Sequence, residues 1–156
     1  MIAIVVMAAF ALVTGCVGSA PVVDTRSTGS IDVPDAGAGS FSGQMTLVSI
    51  NAYRRDHGLP PLRPHPLLYD LAMQHSRNQA AAGKISHNGS DRRIAAARSA
   101  GMGGCGENVG YRHRSPEDVV RRWSNSPGHR RIMLWPDMRY AAVARHGPYL
   151  TFFVCR

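Results

Sequence analysis

At 156 residues and 44% apolar content the chain has room for one domain with a sizeable core, which excludes a wholly disordered polypeptide. The formal net charge of +8 is unevenly placed. Residues 16–40 hold Arg26 against Asp24, Asp32 and Asp35, whereas residues 41–156 hold seventeen of the eighteen basic residues and seven of the ten acidic ones. The basicity belongs to the C-terminal part, and no nucleic-acid recognition motif accompanies it; anionic lipid or an anionic envelope polymer is the better match, and nucleic acid is not expected as a partner.

In chain order, Ile2 to Val13 is an apolar run of twelve residues, too short to span a bilayer as a helix but suited to the hydrophobic region of a secretory signal. Val13-Thr14-Gly15-Cys16 follows and resembles the bacterial lipobox, in which the cysteine becomes residue one and carries lipid. The alternative is an ordinary signal peptide with a chance cysteine. No Lys or Arg lies between Met1 and the apolar run, which leaves room for residues upstream. Residues 1–15 are therefore read as a signal peptide ending in a lipobox, and Cys16 as the lipidation site. Residues 16–40, rich in Gly, Ser, Thr, Pro, Asp and Ala without helical or strand period, are read as the lipidated cysteine and a flexible tether. The expected location is the bacterial cell envelope, attached to a membrane by lipid, or else secreted or periplasmic.

The domain then occupies 41–156. Met45 to His57 reads as a helix with Ser42 as its cap and Gly58 as its stop. Pro66 to Ala82 is a second, opened by a first-turn proline and ended by Gly83. A third, shorter helix starts near Asp91 and stops at Gly101. Ser115-Pro116-Glu117-Asp118 supplies cap, proline and N-terminal carboxylates for a fourth, with Val119, Val120 and Trp123 at helical spacing. Glu107 to Tyr111, Tyr140 to Arg145 and Tyr149 to Cys155 read as strands, the last two joined tightly through Gly147-Pro148. Helices first and strands late make an α+β layered domain.

Cysteine usage agrees with export. With Cys16 assigned to lipid, Cys105 and Cys155 form the remaining pair in an oxidising compartment and are expected to be disulfide-bonded. The rival reading, Cys105 as a nucleophile beside Glu107, requires a free thiol.

The sequence Asn51-Ala52-Tyr53-Arg54 with Gly58-Leu59-Pro60-Pro61-Leu62, then Leu71-Ala72, His75-Ser76, Ser86-His87, Gly106-Glu107-Asn108, Trp123 and Ser126-Pro127-Gly128-His129-Arg130, resembles a bacterial member of the CAP superfamily, also called the SCP or pathogenesis-related-1 family. The resemblance covers roughly residues 44–156. It implies an α-β-α sandwich around a small antiparallel sheet, and a cavity of two histidines and two glutamates. His87, Glu107 and His129 match three of these; Ser126 stands where the second glutamate is usual. A second departure is Arg131-Ile132 after Arg130, where many bacterial relatives have Asn.

Two imidazoles and a carboxylate are enough protein ligands for zinc or another divalent metal with an open fourth position, if their donor atoms converge. They serve equally in a metal-free cluster in which Glu107 orients the histidines, and no cofactor follows with certainty from the sequence. A nucleophilic reading sets Ser126 beside His129, with Glu107 orienting the imidazole; the competing reading makes Ser126-Pro127-Gly128 a turn closing the helix of Trp123. His75 is expected to be a satisfied, partly buried group, His57, His65, His113 and His146 to be solvated, Trp123 to pack in the core, and Asn108 to tie nearby backbone. The sequence thus favours a non-catalytic, envelope-anchored binding domain for lipid, glycan or an envelope partner, with His87, Glu107, His129 and Ser126 around its cavity. The competing function is a metal-dependent hydrolase, a peptidase or esterase, using His87, Glu107 and His129.

Overall fold

The structure is a computed structural model that describes residues 41–156; the segments expected to be a signal peptide, a lipobox with Cys16 and a tether fall outside the described residues. The first helix, α1 (Gly43–Asp56), begins where Ser42 accepts a hydrogen bond from the Met45 backbone N–H at 3.1 Å. It turns Leu47, Ile50 and Arg54 inward at spacings of three and four residues, the period of one helical face. Only glycine fits at its first position: a Cβ on Gly43 would lie 2.0 Å from the Val143 carbonyl oxygen.

After α1 the Asn51 side chain donates to Leu62 O at 2.9 Å and accepts from Leu62 N–H at 2.8 Å, copying a backbone ladder. This holds the approach to β1 (Arg63–Pro64). Helix α2 (Pro66–Ala82) opens on its proline and closes at Gly83 in the left-handed region, φ 61°. Then come α3 (Ser90–Ser99), β2 (Cys105–Tyr111), α4 (Pro116–Ser124), α5 (Pro127–Met133), β3 (Tyr140–His146) and β4 (Tyr149–Cys155). Ser115 caps α4 by accepting from Asp118 N–H at 3.1 Å.

The strands lie in the order β1-β3-β4-β2, with β3 and β2 antiparallel to β4 on either side. The sheet is mixed rather than purely antiparallel, because β1 runs parallel to β3. Two residues, one of them a proline without an N–H, give no strand signal in sequence; the pairing rests on Arg63 N–H donating to Arg139 O and His65 N–H to Ala141 O. Helices cover both faces. Leu47, Ile50, Val119, Trp123 and Met133 of α1, α4 and α5 pack on Val143, Leu150, Phe152 and Val154. Leu68, Ala72 and Ala97 of α2 and α3 pack on Ala142, Ala144, Phe153 and Cys155. The result is the expected α-β-α sandwich, with every residue of β4 buried at its centre.

One local reading changes and another is settled. Ser126-Pro127-Gly128 is not a turn that merely closes α4: Ser126 is the N-cap and Pro127 the first residue of the separate helix α5. The disulfide forms as expected between Cys105 and Cys155, which are paired directly across β2 and β4 with Cα atoms 4.1 Å apart, so Cys105 is not a free nucleophile.

Candidate functional site

Edge strand β2 organises the site, because successive residues of a strand point to opposite faces. Glu107 pairs with Phe153 and shares the α2/α3 face; Asn108 pairs with Phe152 and shares the α4/α5 face.

On the α2/α3 face, α2 fixes the loop that carries His87. Gln79 is buried and donates to Thr151 Oγ1 at 3.1 Å, while its Oε1 accepts the Ser86 N–H at 3.2 Å. His75 places its Nε2 2.7 Å from Ser86 O, so that nitrogen carries the proton and donates. With both backbone groups of Ser86 held, His87 projects toward Glu107, and Glu107 Oε1 accepts from His87 Nδ1 at 2.9 Å. Arg93, reaching from α3, grips the same carboxylate with two prongs: Nε donates to Oε2 at 2.7 Å and Nη2 to Oε1 at 2.9 Å. Its third nitrogen, Nη1, donates to Asn88 O at 2.9 Å. The Glu107 side chain is 4% exposed and that of His87 is 55% exposed. His75 sits 3.7 Å from the same Oε1 and is held neutral more strongly than a free imidazole, because burial outweighs the pull of Ser86 O and of Glu107.

On the other face, α5 presents His129, whose carbonyl accepts from the Asn108 side-chain N–H at 3.0 Å. This Asn108 bond spans 21 residues rather than tying nearby backbone as expected. The His129 ring stacks on Trp123 with centroids 5.8 Å apart and planes at 24°. Trp123 is a core residue, 2% exposed, as expected. Burial lowers the pKa of His129, and the charge on His87 lowers it further. Among the described residues no hydrogen bond or ion pair joins His129 to Glu107 or His87.

His113 departs from the expected solvated state. Its side chain is 6% exposed, edge-on to Trp123, with Nδ1 3.6 Å from Asp118 Oδ2 and no hydrogen-bond partner. Burial lowers its pKa despite Asp118. Asp118 is held down to about 2: burial would raise it, but the Arg114 N–H and the guanidinium groups of Arg122 and Arg121 outweigh that.

The chemistry available follows from these contacts. Glu107 has given its oxygens to Arg93 and His87, and among the described residues no three or more His, Cys, Asp or Glu side chains gather into a set able to hold a metal ion. His87, Glu107 and His129 do not fit zinc in this arrangement. Ser126 makes no capping hydrogen bond and contacts no imidazole through one, so it lacks the activating base that a nucleophile needs. Sequence reasoning missed Arg93. Its signal was faint: Arg93 and Ala97, four residues apart, are the buried positions of α3.

Beyond α5 a groove of about 500 Å3 is lined by Arg131, Ile132, Leu134, Trp135 and Pro136. Its wall backs on Gly106, where a Cβ would stand 3.0 Å from Ile132 and 3.3 Å from Trp135, so glycine lets α5 close against β2. No helix of the described residues is long and apolar enough to cross a membrane.

A model of the cysteine-rich secretory protein family, CAP, matches residues 47–156. The uncharacterized protein YkwD of Bacillus subtilis is 30% identical over 97 residues, covering 60% of this chain and 38% of YkwD. Among solved structures, an extracellular protein containing an SCP domain from Bacillus anthracis superposes with a TM-score of 0.67 at 24% identity, over 72% of this chain and 39% of that one. A cysteine-rich secretory protein from Staphylococcus aureus gives 0.66 at 17% identity, over 72% and 37%. An outer surface protein of Borrelia burgdorferi gives 0.63 at 16% identity, over 72% and 90%. The chain thus spans well under half the length of YkwD and of the first two solved relatives.

Proposed function

The chain belongs to the cysteine-rich secretory protein (CAP) family, and from that premise we propose that it is an exported, envelope-anchored binding domain without catalytic activity of its own. The observation that carries this is the state of Glu107. A carboxylate that is 4% exposed, forked by Arg93 and hydrogen-bonded by His87 supports a positioning role over that of a base open to a substrate proton. Export is supported by the disulfide and by the extracellular or surface descriptions of the solved relatives. Attachment through lipid on Cys16 rests on the Val13-Thr14-Gly15-Cys16 motif.

For the ligand we favour an anionic lipid over an envelope glycan. Exposed Arg130 and Arg131 follow His129, and Arg131 shares a groove with Ile132, Leu134, Trp135 and Pro136, so a cationic rim adjoins an apolar wall. An amphiphile with a negative head satisfies both, whereas a soluble glycan would leave the apolar wall in water.

Co-sedimentation of the purified chain with phosphatidylglycerol and with phosphatidylcholine vesicles tests this. Binding is expected to the former only, to fall with salt, and to weaken at least several-fold in the Arg131→Ala and Trp135→Ser variants. Equal binding to both vesicles, or retained binding in both variants, would refute the lipid reading. Hydrolysis of peptide or ester substrates that is lost on His87→Ala would refute the non-catalytic one. Mass spectrometry of membrane-extracted protein is expected to find diacylglycerol on Cys16, and a freely soluble, unmodified mature chain would contradict the anchor.

A further inference from the structure

We propose that Asn88-Gly89, in the turn between His87 and α3, is a self-modification site: the Gly89 backbone nitrogen displaces the Asn88 side-chain amide, and the isoaspartate that results weakens the hold of Arg93 on Glu107. The chain has five asparagines, and only Asn88 precedes a glycine. Asn51 is held by Leu62 through both ends of its amide, and Asn108, 1% exposed, is held by His129 O. After Asn78 and Asn125 the attacking nitrogen is already engaged: that of Gln79 lies inside α2, and Ser126 N–H donates to Trp123 O at 3.2 Å. By contrast His87, Asn88 and Gly89 are all exposed, in a four-residue turn closed by Ser90 N–H donating to His87 O at 3.0 Å. Gly89 takes the third place of that turn at φ 72°, which side-chain-bearing residues rarely adopt. Arg93 Nη1 holds the Asn88 carbonyl at 2.9 Å, whereas among the described residues the Gly89 N–H and the Asn88 side-chain amide meet no partner. Nucleophile and electrophile are thus adjacent, unengaged and open to water.

The step balances with water as its sole co-reactant. The Gly89 nitrogen gives up its proton and bonds to Asn88 Cγ; the Cγ–Nδ2 bond breaks, and the amide leaves with that proton as ammonia. Water then opens the cyclic imide. Opening at Cγ leaves aspartate in the original chain. Opening at the old main-chain carbonyl leaves isoaspartate, whose main chain runs through Cβ and Cγ and is one carbon longer. In that product the carbonyl that accepted from Arg93 Nη1 becomes a free carboxylate. The guanidinium that forks Glu107 then faces a second anion, while the turn that aims His87 gains a link. The inference does not depend on which ligand the domain binds.

Peptide mapping by mass spectrometry tests it, on the full chain aged for days in mildly alkaline buffer, folded and in urea. In the folded chain Asn88 is expected to gain one mass unit, mainly as isoaspartate, at least about tenfold faster than the other asparagines and within about tenfold of its own rate in urea. Gly89→Ala is expected to slow the reaction about tenfold or more, because a methyl then shields the nitrogen. Thermal melts read the consequence. The isoaspartyl fraction is expected to melt about 4 °C or more below fresh protein, the shift expected for one charge-assisted hydrogen bond. Aged Asn88→Gln is expected to melt as it does fresh, and fresh Asn88→Asp, which adds the charge without the extra carbon, to fall by less than the isoaspartyl fraction. An Asn88 that reacts in urea but stays intact in the folded chain would overturn the proposal, as would an isoaspartyl fraction that melts with the fresh protein.

Discussion

Arg54→Met is expected to cost the fold about 3–5 kcal/mol, the range for breaking a buried charged network, although the replacement nearly preserves volume. Arg54 is fully buried, and among the described residues no carboxylate pairs with it. Its Nε donates to Pro60 O at 3.0 Å, and Nη1 donates to Met133 O at 2.7 Å and Trp135 O at 3.0 Å, while Nη2 finds no partner. The guanidinium thus ties the end of α1 to the loop before β1 and to the carbonyls at the end of α5, where the helix dipole favours a cation. Hydrogen bonds from a charged donor are worth about 1.5–3 kcal/mol each. Only the bond to Met133 is wholly buried, so that carbonyl bears the full desolvation cost when orphaned, while those to Pro60 and Trp135 are part-buried and regain water. Urea unfolding followed by tryptophan fluorescence is the assay; with a slope of about 1.5 kcal/mol/M the midpoint should fall by roughly 2–3 M. Hydrogen exchange at Met133 to Trp135 should accelerate in the same variant, because α5 loses its anchor. A midpoint within about 0.3 M of wild type would refute the reasoning and mean that the desolvation of this cation cancels its three bonds.

Reducing the disulfide, or replacing Cys105 and Cys155 by serine, reopens a loop of 50 residues and should lower stability by about 4 kcal/mol, measured by urea unfolding with and without reductant. Gly43→Ala drives a methyl to 2.0 Å from the Val143 carbonyl oxygen and should cost about 1–3 kcal/mol in the same assay, far more than the helix propensity of alanine returns. The melting temperature should fall as pH drops through 6.5. His75, His113 and His129 all have folded values below 6.5, so the unfolded chain takes up more protons there, and their contribution is complete above 6.5 and lost on acidification through it. A second loss should appear between pH 3.8 and about 2 as Asp118, depressed in the fold, becomes protonated, and Asp118→Asn should abolish that component.

Local chemistry made much of the fold legible. Ser42 and Ser115 do cap α1 and α4, Pro66 and Gly83 bound α2, and Gly147-Pro148 turns the terminal hairpin, because each of these effects acts within a few residues. What stayed hidden depends on distant partners. Strand β1 exists only because Arg139 and Ala141 offer carbonyls to Arg63 and His65. Helix α5 was masked because Ser126-Pro127-Gly128 reads as a turn closing α4, although Ser126 is an N-cap and Gly128 lies in the first turn of a new helix. Within the site, His87 and Glu107 were readable as a pair of chemical types, but the chain has seventeen arginines and nothing local distinguishes Arg93 as the one that faces inward. His113 was misplaced for a related reason: the space it fills is opened by Gly110, where a Cβ would lie 2.5 Å from its Nε2.

The pairing of Cys105 with Cys155 has a meaning beyond cross-linking. A strand shifted by one residue turns every side chain to the opposite face. Such a slip of β2 against β4 would carry the Glu107 carboxylate under α5 and leave the Asn108 amide facing Arg93, exchanging an ion pair on one side for a buried, unpaired charge on the other. Because the two cysteines are direct partners in the ladder, their bond admits a single alignment and so indexes the strand. At the far end, Arg112 N–H donates to Pro148 O at 2.8 Å and latches the same alignment. Oxidation of this pair therefore selects which residue meets His87 and which meets α5, so a redox event at the start of β2 would be felt on both faces of the sheet at once.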